Sequence, residues 1–142
     1  MKWLGAVPII CLCLGCTPQR AGTRQHTPCD EQKALLRTCL DTHEFQQYLH
    51  TDVFPARKRM DLLVSSDTAC YRDDLDLGLY KLRPVFRKEA LKGDYLLLSK
   101  CEITRDSGWV DLHFPAEGAH FRFTLSHPGQ NWEVIRVGVT ET

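Results

Sequence analysis

The sequence has no excess of charge of either sign, since Lys plus Arg and Asp plus Glu each number 18 in 142 residues. A protein that binds nucleic acid needs a strongly basic face, so this balance argues against nucleic acid as a partner. The sequence also lacks an HExxH motif, a GxSxG motif and a glycine-rich phosphate loop. No CxxC pair is present, which argues against a zinc site. We therefore predict neither a cofactor nor a metal.

Long apolar segments are also scarce, and only the N-terminus carries one. Lys2 is followed by an apolar run over residues 3–14. A helix that crosses a bilayer needs about 20 apolar residues, whereas a run of this length is typical of a signal peptide. No later run approaches that length, so the sequence predicts export without a second membrane crossing.

The apolar run ends in Cys13-Leu14-Gly15-Cys16, which resembles the lipobox of bacterial lipoproteins. Gly15 is the small residue that this family has before its lipidated cysteine, but Cys13 stands where the family usually has leucine. The resemblance implies cleavage after residue 15 and acylation, including palmitate, at Cys16. An ordinary cleaved signal peptide is the alternative interpretation. In the same family Asp after the lipidated cysteine favours the inner membrane, so Thr17 implies the outer membrane.

The chain is therefore expected to have three parts. Residues 1–15 are the signal peptide, and residues 16–28, with little apolar content, are a lipidated flexible tether. Residues 29–142 are one folded domain, as this length allows. We expect the protein on the periplasmic face of the outer membrane, with the inner membrane as the alternative.

Cysteine usage agrees with an exported protein. Of seven cysteines, two leave with the signal peptide and Cys16 takes the lipid, so an even number remains for disulfides. Cysteines ten residues apart on one continuous helix are separated by about 15 Å, which is too far for a bond. Cys29 is therefore expected to pair with Cys70 or Cys101, and Cys39 with the other. The four cysteines in question are Cys29, Cys39, Cys70 and Cys101.

Three helices are predicted in the first half of this domain. The first is capped by Asp30 and runs to about residue 50, with a bend near residue 43 as one interpretation of its shifting apolar stripe. The second begins at Pro55 and extends to residue 63. The third opens at Asp73, and its apolar residues recur at spacings of 4, 3 and 4. This stripe consists of Leu75, Leu79, Leu82 and Phe86.

After Gly93 the apolar residues alternate, as they do in strands with one buried face. Four strands are predicted over residues 95–104, 109–114, 119–125 and 132–140. The fold class is then α+β, with three N-terminal helices packed on a four-stranded antiparallel meander.

This order of elements, with a closing strand Trp132-Glu133-Val134-Ile135 after a turn that contains Gly129, resembles a known family. It is similar to the cystatin-like roll of the nuclear-transport-factor-two and ketosteroid-isomerase superfamily. The resemblance implies a pocket between the first helix and the sheet. Because that superfamily contains enzymes, ligand binders and interaction modules, it does not decide between functions.

Two groups of residues are candidates for a site. Leu36, Leu40 and His43 share one face of the first helix and could line the pocket, where His43 with Asp41 or Glu44 could act as a general base. A hydrogen-bonded core histidine is the competing interpretation. The second group is basic and could bind an acidic partner, or simply match the dipoles of helix ends. It consists of Arg57, Lys58, Arg59, Arg87 and Lys88.

The function expected from these observations is a noncatalytic cell-envelope lipoprotein that binds a protein partner. Such a protein could be an accessory of a secretion system or a periplasmic immunity protein. Two alternatives remain open: a binder of a small apolar or lipidic ligand in the pocket, and an enzyme that uses His43.

Overall fold

The computed structural model describes residues 28–65 and 69–142. The predicted signal peptide, the predicted lipidation site Cys16 and nearly all of the predicted tether lie outside the described residues. Within the described residues the chain forms two α-helices and one seven-stranded mixed sheet. The helices are α1 (Pro28–Leu40) and α2 (His43–Leu49), and the strands are β1 (Arg59–Val64), β2 (Leu75–Asp76), β3 (Lys81–Val85), β4 (Tyr95–Ile103), β5 (Ser107–Phe114), β6 (Ala119–Ser126) and β7 (Glu133–Glu141).

The predicted fold class of three helices on a four-stranded antiparallel meander is therefore wrong. Strands β4 to β7 pair consecutively and antiparallel, but three further strands extend the sheet. Two of the three predicted helices are replaced by these strands. The predicted cystatin-like roll is wrong for the same reason, because it was inferred from that order of helices and strands.

The predicted first helix is two helices, separated by Asp41 and Thr42. The Thr42 hydroxyl donates to the carbonyl oxygen of Cys39 at 2.7 Å and accepts the Phe45 N–H at 3.4 Å. One side chain therefore ends α1 and caps the N-terminus of α2. The break lets both short helices turn apolar residues to the core. Those residues are Leu35, Leu36, Cys39 and Leu40 in α1, and Phe45 and Leu49 in α2.

The predicted second helix, residues 55–63, is a single 3₁₀ turn (Pro55–Lys58) that leads into β1. Every residue of β1 after Arg59 is buried, including Asp61. A strand that is covered on both faces has a continuous apolar run, and periodicity alone cannot distinguish such a run from a buried helix.

The predicted third helix is wrong because its 4-3-4 spacing belongs to a hairpin. Leu75 in β2 lies opposite Leu82 in β3, whereas Leu79 and Phe86 are exposed. Gly78 turns the chain between these strands with a positive φ of 81°. Pro84 lies in β3 beyond Leu75, the first residue of β2, where β3 is a sheet edge and proline is tolerated.

The strands lie in the order β2-β3-β1-β4-β5-β6-β7. Strand β1 is parallel to both of its neighbours, β3 and β4. The connection between those neighbours, residues 86–94, therefore passes over β1, and we call it the crossover. It covers the sheet face that carries Asp61 and Leu63.

The two helices cover the opposite face of the sheet. Phe121 of β6 contacts Phe45 and Tyr48 of α2 edge-to-face, with ring centroids 5.0 and 5.1 Å apart. Helix α1 approaches β5 so closely that a Cβ atom on Gly108 would come within 2.8 Å of Leu35 Cδ1. Neither helix is long and apolar enough to cross a membrane, and no other helix of residues 28–65 and 69–142 is.

Candidate functional site

A cleft of about 390 Å³ opens where the crossover meets the start of β1. Its walls are residues 53–57, residues 59–61 and residues 92–94, and we call it the Phe54 cleft. Three separate parts of the chain contribute to it: the loop after α2, the first half of β1 and the end of the crossover. Its shape therefore depends on how these parts are joined.

Arg57 joins the cleft to the rest of the fold. The residue is 7% exposed, and its guanidinium donates from Nε to Asp94 Oδ2 at 2.8 Å and from Nη1 to Glu117 Oε1 at 2.7 Å. It also donates to the Leu49 carbonyl at the C-terminus of α2 and lies over the Phe54 ring at 4.3 Å. Burial opposes the charge, but the two carboxylates outweigh it and raise the pKa of Arg57.

Asp61 holds the crossover on the sheet. Its carboxylate accepts two hydrogen bonds from Arg83, from Nε at 2.7 Å and from Nη2 at 2.8 Å, and one from the backbone N–H of Lys92 at 2.8 Å. Arg83 also donates to the carbonyl oxygen of Ala90. The hydrogen bonds from Arg83 are the main cause of a lowered Asp61 pKa, and the bond from Lys92 adds to it against the effect of burial.

These contacts leave the Phe54 cleft with positive charge. Both carboxylates that line it are already paired, Asp61 with Arg83 and Asp94 with Arg57. Two cations that line it, Arg59 and Lys92, have no carboxylate within ion-pair distance among the described residues, although the charge of Lys92 also acts on Asp61. An anionic group that entered the cleft would meet these two cations.

The rim of the cleft is apolar and exposed. Val53 and Phe54 are 64% and 47% exposed, and they are adjacent in the chain. Single exposed apolar side chains are common, but neighbouring ones beside a cleft are typical of a contact surface. A surface with cations beside exposed apolar side chains is complementary to a ligand that is acidic and partly apolar.

The structure divides the predicted basic surface. Arg57 is buried, so it supports the cleft rather than presenting charge to a partner. Arg59 lines the Phe54 cleft, and Lys58 beside it is exposed. Arg87 lines a second cleft of about 320 Å³ across the crossover, together with exposed Phe86, and Lys88 is exposed next to it.

Three acidic residues that shape this site were not predicted from the sequence. Asp61 interrupts an otherwise apolar run, and a single carboxylate in such a run is a recognisable sign of a buried ion pair. Asp94 and Glu117 are 37 and 60 residues from Arg57. Nothing in the local sequence connects them to that arginine.

The structure does not bring the predicted pocket residues together. Leu36 and Leu40 are fully buried between α1 and the sheet, whereas His43 is exposed and its Nε2 lies 2.7 Å from Gln47 Nε2. The neighbouring carboxylates Asp41 and Glu44 are also exposed. The helix–sheet interface, where the pocket was expected, is filled by buried side chains, among them Leu35, Leu36, Phe45, Phe121 and Phe123.

Histidines also meet on the open face of the sheet. His113 of β5 and His120 of β6 are directly paired, with ring centroids 6.0 Å apart. Arg122 and Asp111 lie beside them and form an ion pair at 3.2 Å, in which Arg122 is exposed and Asp111 is half-buried. Among residues 28–65 and 69–142 no three His, Cys, Asp or Glu side chains form a group that could hold a metal ion.

One of the two disulfide arrangements left open by the sequence is present in part. Cys29 and Cys70 are bonded, and this bond ties the start of α1 to the 3₁₀ turn Ala69–Tyr71. Cys39 and Cys101 carry free thiols. The bond fixes a segment that precedes β2 and contacts α1.

Comparisons of this chain with family models, with curated proteins and with solved structures find no match.

Proposed function

We propose that this protein is a lipid-anchored protein of the bacterial cell envelope that binds an acidic protein partner at the Phe54 cleft. The partner belongs to a secretion apparatus or is a toxin that the protein neutralises in the periplasm. The observation that carries the binding proposal is the combination of exposed Val53 and Phe54 with two cations, Arg59 and Lys92, that have no ion-pair partner among the described residues.

The charge of the cleft selects the partner's chemistry. An acidic side chain or a terminal carboxylate can pair with Arg59 and Lys92 while an adjacent apolar side chain covers Phe54. Partly exposed ion pairs contribute little by themselves, so the apolar contact supplies most of the affinity and the charges supply orientation. Ion pairs support the cleft from beneath, because Arg57 pairs with Asp94 and Glu117 and Asp61 pairs with Arg83.

The lipid anchor is supported by the leader sequence alone. Export of the full chain in the presence of an alkyne-tagged palmitate should label the protein, and the C16S variant should lose the label. Labelling that persists in C16S would contradict acylation at this residue. A protein found only in the cytoplasm with its leader intact would contradict export.

The binding proposal is tested by light-induced crosslinking in the living cell. A photoreactive phenylalanine analogue replaces Phe54. In the control protein the same analogue replaces Leu79, which is also exposed. A protein crosslinked from position 54 and not from position 79 is then purified, and its affinity for the intact chain is measured. Crosslinking identifies the partner, and the affinity of the variants decides the proposal.

Two matched pairs of variants locate the surface. We expect V53S and R59E each to weaken binding about tenfold or more, as loss of about 1.4 kcal/mol implies. I135S and R136E are the controls, because these residues are exposed on the last strand and Ile135 has the same 64% exposure as Val53. Unchanged affinity for V53S and R59E, or equal losses in the controls, would contradict a partner at the Phe54 cleft.

A further inference from the structure

Cys39 belongs to α1 and Cys101 to β4, and both lie near the place where α1 packs on the sheet. Leu35 of α1 packs on Gly108 of β5. One helical turn after Leu35 is Cys39, and two residues after Gly108 is Val110, whose direct neighbour across the sheet is Cys101. The step from Leu35 to Cys39 along the helix is about 5.4 Å, and the step from Gly108 to Val110 along the strand is about 6.8 Å. Cys39 and Val110 therefore lie at similar distances from the contact between Leu35 and Gly108.

The burial of both residues places their sulfurs on the same side of the sheet. Cys39 is fully buried in the core cluster, and Cys101, which lies beside core residue Val110, packs against that cluster. Burial raises the pKa of the Cys39 thiol well above its usual value, and negative charge on Cys101 raises it further. The charge of Cys101 therefore acts on Cys39, in agreement with the position that the packing of both residues on the same core gives them.

Tyr71 lies in the same part of the core, next to Cys101. Its hydroxyl is buried and makes no hydrogen bond of ordinary geometry with any described group, which is costly for a polar atom. Burial raises its pKa, and the neighbouring Cys101 thiol raises it further. The Cys29–Cys70 bond holds this tyrosine in position from the adjacent residue.

We propose that Cys39 and Cys101 are a modification site at which a second disulfide forms across the core. The bond would link α1 to β4, and it would complete one of the two pairings that the sequence allows. In the cell it rests on the proposed function, because export supplies the oxidising compartment. The chemistry itself needs only a disulfide oxidant, such as a dithiol oxidase of the envelope or glutathione disulfide.

The exchange proceeds in two steps. Cys101, which is partly exposed, loses its proton and attacks one sulfur of the oxidant, and the other sulfur leaves as a thiol. Cys39 then loses its proton, attacks Cys101 Sγ and displaces the second oxidant sulfur. Two protein thiols become one disulfide, and the oxidant disulfide is reduced to two thiols. Because burial keeps Cys39 protonated, the second step is expected to be slow in the folded protein.

Peptide mapping tests the proposal directly, because trypsin places each of the four cysteines on a separate peptide. The intact chain is produced with its own leader, recovered from whichever cell fraction holds it, blocked with iodoacetamide and digested without reduction. A second sample is reduced in denaturant and refolded with glutathione disulfide, with native tryptophan fluorescence as the check on folding. The peptides are residues 25–33, 38–57, 60–72 and 101–105, in the order of the cysteines.

We expect peptide 38–57 linked to peptide 101–105, and peptide 25–33 linked to peptide 60–72, in both samples. Recovery of Cys39 and Cys101 as alkylated thiols in the refolded sample, with Cys29 and Cys70 linked, would overturn the proposal. Cys39 linked to Cys70 would overturn it as well. Links in the refolded sample alone would support the second disulfide and count against export, so the two proposals fail separately.

The C101S variant is the control. It removes the thiol that reacts first, so Cys39 should stay reduced and become alkylated only after unfolding, while Cys29 and Cys70 remain linked. A C101S protein in which Cys39 still forms a mixed disulfide with glutathione in the native state would contradict the proposed order of attack.

Discussion

At the scale of single residues, Asp61 has the most consequential environment. It is 7% exposed, lies between apolar residues of β1 and accepts three hydrogen bonds from Arg83 and Lys92. A buried carboxylate is stable only when its charge is compensated, so these donors are required for the strand to be buried on this face. One residue thereby fixes the crossover and shapes one wall of the Phe54 cleft.

The D61N variant should lose about 1–3 kcal/mol of unfolding free energy at pH 7, because charge-assisted hydrogen bonds are replaced by weaker ones. The folded state lowers the Asp61 pKa. Its stabilisation is therefore complete above the unfolded pKa of about 3.9 and is lost as pH falls through the folded value. Urea unfolding of both proteins should show a difference that shrinks below about pH 4.

The E102Q variant is the control for this prediction. Glu102 pairs with Lys100 at 3.2 Å, but both side chains are exposed, so the change should alter stability by less than about 0.5 kcal/mol. An equal loss in both variants, or a D61N difference that is constant from pH 7 to pH 3, would contradict the role given to Asp61.

The environment of a side chain could be predicted from the sequence only where the residues that it contacts are near it in the chain. The basic group 57–59 was recognised, but its division into buried Arg57 and exposed Lys58 and Arg59 was not. The partners of Arg57 are Asp94 and Glu117, which only the folded sheet brings together. For the same reason His43 was assigned to a core face from which the helix break removes it.

At the scale of elements, the break between α1 and α2 depends on one hydroxyl. Thr42 bonds both the last turn of α1 and the first turn of α2. We expect T42A to lower the unfolding free energy by about 1 kcal/mol, since it removes a helix cap. Guanidinium unfolding monitored by circular dichroism measures this change.

The T42S variant retains the hydroxyl and should stay within about 0.5 kcal/mol of the original protein, because serine caps helices at least as well as threonine. If T42S lost as much stability as T42A, the methyl group rather than the cap would be responsible. No change in T42A would show that packing alone separates the helices.

The secondary structure of the second half of the domain follows from alternation, and that of the first half does not. Strands β5 and β6 alternate buried and less buried residues along their whole length. Strand β1 is buried on both faces and β2 has two residues, so neither leaves a period of two in the sequence. The leucine spacing across β2 and β3 imitates a helix because the hairpin turn happens to have a compatible length.

At the scale of the whole molecule, the Cys29–Cys70 bond closes a large loop. The bonded residues are 41 positions apart, and the loop contains both helices and β1. The free energy of unfolding of the C29S/C70S variant should be lower by about 2–4 kcal/mol, because the unfolded chain has more conformational entropy without the bond. Urea unfolding measures the loss, with Cys39 and Cys101 in the same oxidation state in both proteins.

Reduction of the C101S protein, compared with oxidised C101S, is the control, since Cys39 has no disulfide partner there and reduction opens the Cys29–Cys70 bond without changing any atom heavier than hydrogen. It should reproduce most of the loss. Equal stability of the oxidised protein and the double variant would contradict a stabilising role for this bond. A loss in the variant that reduction does not reproduce would point to the serine side chains instead.

The position of this bond determines how the domain responds to a pulling force. A load applied at residue 28 reaches Cys29 at once and crosses the sulfur bridge to Cys70, so tension bypasses everything between them. While the bridge holds and Cys39 and Cys101 are reduced, the chain between the bonded cysteines, which contains α2, β1 and nearly all of α1, cannot be extended. A C101S protein, in which Cys29–Cys70 remains the covalent link, should yield first in the segments after residue 70 when it is stretched between its two ends in an optical trap, and it should gain about 40 residues of extra length only when the bridge is reduced.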